Sequence, residues 1–117
     1  MGEHDITSGT TYAISVTVPA GSYDISGTAS VDNWDATYKA KMGCILYAGT
    51  TDLTEAYAVT FAYDSATYGV GLASVALHAS YTTATGTTFS LSCTGRNSSN
   101  EDVFDPALSA IKVGTLH

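Results

Sequence analysis

A chain of 117 residues with eleven acidic residues against four Lys and Arg, a net charge of −7, is too short for two cores and too acidic to grip nucleic-acid phosphates. Its 44% hydrophobic content comes with only 13% charged residues, about half the usual share, so Thr, Ser, Ala, Gly and Tyr fill the sequence. No apolar run approaches the ~20 residues a membrane-spanning helix needs, and the net charge disfavours anionic membrane surfaces.

Residues 1–9 are polar and read as a flexible arm, with the folded domain expected over 10–117. Met1-Gly2-Glu3-His4-Asp5 is acidic rather than basic and apolar, so it does not read as a secretory leader, and synthesis in a host cytoplasm is expected. Thr10 to Val31 then holds two strands hinged at Pro19-Ala20-Gly21. On the first, Tyr12, Ile14, Val16 and Val18 alternate with Thr11, Ala13, Ser15 and Thr17; on the second, Tyr23, Ile25, Gly27, Ala29 and Val31 alternate with small polar residues. Successive side chains on a strand point to opposite faces, so each strand has one apolar and one hydroxylated face.

Asp32 to Thr37 is a loop of turn-forming residues around the single tryptophan, Trp34. A third strand is expected over Tyr38–Ala48, with Met42, Cys44 and Leu46 inward. A fourth is expected over Thr54–Ala62, its inner face Tyr57, Val59 and Phe61. After a loop over Tyr63–Gly71, a fifth strand, Leu72–Thr83, turns Val75, Leu77, Ala79 and Tyr81 inward and His78 outward. The sixth, Thr87–Thr94, carries Phe89, Leu91 and Cys93 inward. Gly95–Pro106 reads as a long polar, then acidic, loop, and the last strand, Ala107 to about Leu116, places Ile111 and Val113 inward. Roughly seven to nine strands with turn signals every 8–12 residues argue for an all-β fold, a single antiparallel β-sandwich of jelly-roll type.

Little of this is catalytic chemistry. The three histidines are His4, His78 and His117, and no G-x-S-x-G elbow occurs. Asp64, Glu55, Glu101 and Asp105 lie in or beside loops without the apolar setting that raises a catalytic carboxyl, so no catalytic residue is assigned and no enzyme is expected. Two acidic clusters, Asp32/Asn33/Asp35 and Glu101/Asp102/Asp105, offer oxygens of the kind calcium takes but lack EF-hand spacing. They read as turns, with no metal or cofactor expected. Asn97-Ser98-Ser99 matches the N-x-[ST] glycosylation pattern. Cys44 and Cys93, both inward and about fifty residues apart, either bridge the two sheets across the core or remain buried free thiols. Trp34, Tyr63 and Tyr68 fall in loops, where exposed rings serve a protein or glycan contact, or else fold back as plugs over the sandwich ends.

The run Tyr12–Val31 (a strand, Pro-Ala-Gly, then Ser-Tyr-Asp-Ile-Ser-Gly-Thr-Ala) resembles the opening of the C1q/tumour-necrosis-factor-like jelly rolls, domains that occur in phage tail fibres and bacterial collagen-like proteins. The closing run Leu108-Ser-Ala-Ile-Lys-Val-Gly114 resembles endings of small β-rich structural proteins of phages. The resemblance implies a homotrimer and a non-enzymatic phage virion protein. The function expected is that of a capsid decoration protein stabilising the shell, held in the virion against the major capsid protein, with residues 1–9 as its attaching arm and no nucleic-acid or membrane partner. The alternative is a trimeric receptor- or carbohydrate-binding tail-fibre tip, extracellular or at a cell surface.

Overall fold

The computed structural model describes residues 3–64, 69–96, 98 and 100–114. Its strands are β1 (Glu3–Asp5), β2 (Thr11–Val18), β3 (Gly21–Asn33), β4 (Lys41–Ala48), β5 (Thr51–Val59), β6 (Gly71–Thr83), β7 (Thr87–Arg96) and β8 (Glu101–Val113). They form two four-stranded sheets, ordered β1-β8-β3-β6 and β2-β7-β4-β5, with every pairing antiparallel. Consecutive strands cross from one sheet to the other except at the β4–β5 hairpin, which is jelly-roll connectivity. The all-β sandwich expected from the alternation is the observed fold, drawn out to 55 × 23 × 22 Å.

The alternating strands deliver the core where their pattern places it. Ile25 and Val31 of β3, Met42 and Leu46 of β4, and Phe89 and Leu91 of β7 are buried between the sheets, with Ile14 and Val16 packed at the rim. Tyr23 and Tyr81 meet Phe89 edge-on, at centroid distances of 5.7 and 6.0 Å. Gly27 is glycine because Leu91 lies against it: a Cβ there would come within 3.1 Å of a Leu91 methyl. On the outer faces the small residues pair across strands, Thr11 with Thr94 at 2.6 Å, Thr17 with Thr88 at 2.9 Å, and Ser30 with Ser74 at 2.8 Å.

Four expectations are corrected. The flexible arm is, from Glu3 to Ile6, part of the fold. Glu3, His4 and Asp5 pair with Phe104, Val103 and Asp102 of β8, and Ile6 is wholly buried. The single aliphatic side chain in a polar run anchors the segment, and the Ile6 N–H donates to the Glu101 carbonyl at 3.1 Å.

β5 is inverted. Its inward residues are Thr54, Ala56 and Ala58, opposite Leu46, Cys44 and Met42, so Tyr57, Val59 and then Phe61 face out. β5 is an edge strand, and small residues suffice against the large side chains of β4. Tyr57 instead covers Gly43 from outside, its ring carbons 2.8 Å and more from where a Cβ would sit, with the Lys41 ammonium 5.0 Å from the ring centre.

β8 begins within the expected acidic loop, and its phase changes part-way. Thr28 pairs with Ala107 but Ser30 with Phe104, so β8 carries one extra residue there, at Asp105 with φ 49°. Glu101 and Val103 point inward before this bulge, Leu108 and Ala110 after it, and Ile111 is left 63% exposed.

The cysteines do form a disulfide, but not across the sandwich. Cys44 and Cys93 are directly opposed on neighbouring strands of one sheet, with a Cα–Cα distance of 4.1 Å. The bond lies on the inner surface of that sheet, with both residues buried.

Candidate functional site

The end of the sandwich where β3 stops and β4 begins is organised by Asn33. Its amide N–H groups donate to the carbonyls of Tyr38 at 2.8 Å and Phe61 at 3.0 Å, and its oxygen accepts from the Asp35 N–H at 3.0 Å and the Ser98 hydroxyl at 2.8 Å. One buried side chain thus ties three connecting segments together with all four of its hydrogen bonds satisfied. Asp35 closes the first loop as an Asx-type turn, Oδ1 accepting from the N–H groups of Thr37 at 2.8 Å and Tyr38 at 3.2 Å. The Tyr63 N–H reaches the Asp35 carbonyl at 2.8 Å, and the Thr60 N–H the Ala40 carbonyl at 2.9 Å.

These loops hold large apolar side chains in solvent. Among the described residues the exposed large hydrophobics are Trp34, Tyr38, Tyr57, Val59, Phe61, Leu72 and Ile111. All except Ile111 belong to this end or to β5 beside it. Leu72 pairs with Asp32, Val59 pairs with Lys41, and Tyr38 and Phe61 share the Asn33 amide. The Trp34 and Tyr63 rings approach to 5.7 Å between centroids.

Beside Trp34, on the outer face of the other sheet, carboxylates collect. Asp5, Asp102 and Asp32 are successive cross-strand partners on β1, β8 and β3, and Glu3 lies on the same face two residues from Asp5. Burial pushes the Asp32 carboxyl up to about 6, helped by the charges of Asp102 and Glu3 and opposed by hydrogen bonding from Trp34. Asp102 is raised too, by burial and then by Glu3 and Asp5. Asp5 is lowered by the hydroxyl and N–H of Thr7, both donated to its Oδ1.

On the inner face, Glu101 is fully buried and neither of its carboxylate oxygens makes a well-formed hydrogen bond. Burial pushes it up to about 8, the Arg96 backbone amide offsetting only part of this. Gly95 makes its space: a Cβ there would stand 2.7 Å from the Glu101 carboxyl and 2.0 Å from the Ile6 carbonyl.

Each acidic triplet read from the sequence is therefore divided. Asn33 and Asp35 work as loop supports, Glu101 enters the core, and Asp105 sits exposed at the bulge, while Asp32 and Asp102 come together. Of the three candidate contact aromatics, Trp34 and Tyr63 meet; Tyr68 lies outside the described residues, as do His117 and Asn97 and Ser99 of the glycosylation pattern. His4 stacks on Tyr12 at 3.7 Å, and His78 is an exposed residue of β6. Sequence reasoning missed Glu3, having placed it in the arm. Ile6 was the available signal, since a lone aliphatic residue after Glu-His-Asp gives a short strand its anchor. Scans against protein-family models, curated proteins and solved structures find no match to this chain.

Proposed function

We propose that this chain is a non-enzymatic phage virion structural protein, a capsid decoration protein that docks on neighbouring subunits through the outer face of β5 and the loop end beside it. The observation behind the reading is the gathering of Tyr38, Tyr57, Val59 and Phe61 in solvent on one edge and end of the molecule. Contiguous exposed apolar surface rimmed by polar residues is the mark of a protein contact, and aromatic residues are enriched in such contacts. Away from the carboxylates, four Ser and Thr pairs on the outer faces already bond to one another, which gives a partner little to desolvate. A buried disulfide persists in oxidising surroundings, which suits a particle that spends its life outside cells. The working form is a homotrimer at a junction of major capsid proteins.

Adding the purified protein to particles assembled without it tests this: the protein co-sediments with them, and replacing Val59 and Phe61 by Asp keeps it in the supernatant. Light scattering reads the oligomer. A second reading, a receptor- or carbohydrate-binding tip, is favoured by the paired Trp34 and Tyr63 rings beside carboxylates. Binding to a glycan array that is lost in Trp34→Ala, with no binding to particles, would put that reading first.

A further inference from the structure

We propose that Glu3, Asp32 and Asp102 form a calcium-binding site that clamps β1 onto β8 and β3. One carboxylate oxygen from each residue lies within 4.8 Å of the other two. Calcium holds oxygens at about 2.3–2.6 Å, so two ligands on opposite sides of one ion are up to ~5 Å apart. The three carboxylates therefore reach a single ion without movement of the strands that carry them.

An acidic cluster alone would carry no such assignment, since exposed carboxylates often gather without an ion. Asp32 supplies the second observation. It is only 4% exposed, and its Oδ1 has no hydrogen-bond partner. An acceptor shut away from water and left unpaired is costly, so such atoms are normally satisfied by protein, water or an ion. Here the charged neighbours acting on Asp32 and Asp102 are all acidic: Glu3, Asp5 and each other. The Asp32 and Asp102 carboxyls also hydrogen-bond to each other, and Trp34 and the Asp102 backbone reach Asp32, yet Oδ1 stays unpaired and, among the described residues, no positive charge offsets the cluster, which a cation would do.

The donor set selects the ion. All three ligands are hard carboxylate oxygens, which suit calcium or magnesium rather than zinc or copper. His4, the nearby imidazole on β1, is on the opposite face of its strand and stacks on Tyr12. Magnesium needs oxygens at about 2.0–2.1 Å in a near-ideal octahedron and gives up its waters reluctantly, whereas calcium tolerates irregular shells of six to eight oxygens. Glu3 is exposed and Asp102 half-buried, so one side of the site is open to the ion and to the waters completing its shell. Because β1 is three residues long and pairs only with β8, an ion shared with β3 gives it a second attachment.

Trp34 next to Asp32 provides the reporter. In the full chain, terbium bound at the site emits on excitation of the indole, the emission saturates at one ion per chain, and calcium displaces it competitively. Calcium also raises the melting temperature. Asp32→Asn, Asp102→Asn and Glu3→Gln each weaken calcium binding tenfold or more, whereas Asp24→Asn, an acidic residue of the same strand away from the cluster, leaves it unchanged. Glu3 is exposed, so Glu3→Gln folds even if changes at the buried Asp32 do not. Absence of saturable terbium emission, with no shift in melting at calcium concentrations up to about 10 mM, beyond the range of weak extracellular sites, would overturn the proposal. So would binding that survives Glu3→Gln and Asp102→Asn at full strength.

Discussion

Between Ile25 and Ala29, β3 faces Phe89 and Leu91 across an apolar core; at its far end the same strand carries Val31, Asp32 and Asn33, all three buried and two of them polar. In the middle, burial, close packing and the Cys44–Cys93 bond all favour the folded state. At the end, Asn33 is fully satisfied while Asp32 and Glu101 are held in the fold against the cost of desolvating their charged forms. Groups kept where they oppose folding are expected at functional or strained positions rather than in the structural centre. The contrast divides the molecule into a part that makes the fold stable and a part held at a cost to that stability.

That division predicts graded effects. The largest belongs to the centre: Phe89→Ala removes the ring shared by Tyr23 and Tyr81 and should cost about 3–5 kcal/mol in denaturant unfolding. A loss below ~1 kcal/mol would mean that the core is not packed around it. Replacing Cys44 and Cys93 together by Ala should cost roughly 2–4 kcal/mol, because the bond closes a long loop in the unfolded chain. Equal stability of the oxidised protein and the double variant would remove the disulfide from the structural centre.

A third prediction concerns the polar end and depends on pH. The Glu101 carboxyl rises from its ordinary value near 4.5 to about 8 in the fold, so between those values the folded chain holds a proton that the unfolded chain has released. Its contribution is therefore fully present below about pH 4.5 and is lost as pH rises toward 8, with a slope of up to ~1.4 kcal/mol per pH unit. Asp32 acts in the same direction over a narrower window, from about 4 to about 6. Measured in chelator, Glu101→Gln should match the wild type at acid pH and exceed it near pH 8. Parallel stability curves for the two proteins would show that Glu101 is not held as the neutral acid.

The smallest expected effect on stability is at the β5 face. Val59 and Phe61 are 59% and 62% exposed, so exchanging both for Asp should shift stability by less than ~1 kcal/mol. A larger loss would assign the stripe to the fold rather than to a partner.

The sandwich was legible because β2, β4, β6 and β7, and β3 as far as Val31, obey a period of two, and burial on one face leaves such strands a single register. It was least legible where that period is interrupted. The bulge opposite Ala29 exchanges the faces of β8, and nothing local announces it beyond Asp105-Pro106. β5 misleads in another way: Tyr57 and Val59 are outside and its alanines inside, the reverse of what hydrophobicity suggests for an isolated strand. The acidic site was half visible. Asp32 and Asp102 stood out as members of acidic stretches, but their meeting depends on the β3–β8 pairing, a contact between residues seventy positions apart that no local pattern encodes. Glu3 was hidden by the polarity of its neighbours, and the cysteines by the assumption that distant inward residues face one another across sheets rather than along one.

The central claim, that the apolar face of β5 and the loops beside it exist to meet a partner, is tested most directly by co-sedimentation with particles assembled without the protein. The wild-type chain should saturate the particles, and the chain with Val59→Asp and Phe61→Asp should remain in the supernatant while still unfolding cooperatively within a few degrees of the wild type. Equal decoration by both proteins would contradict the account.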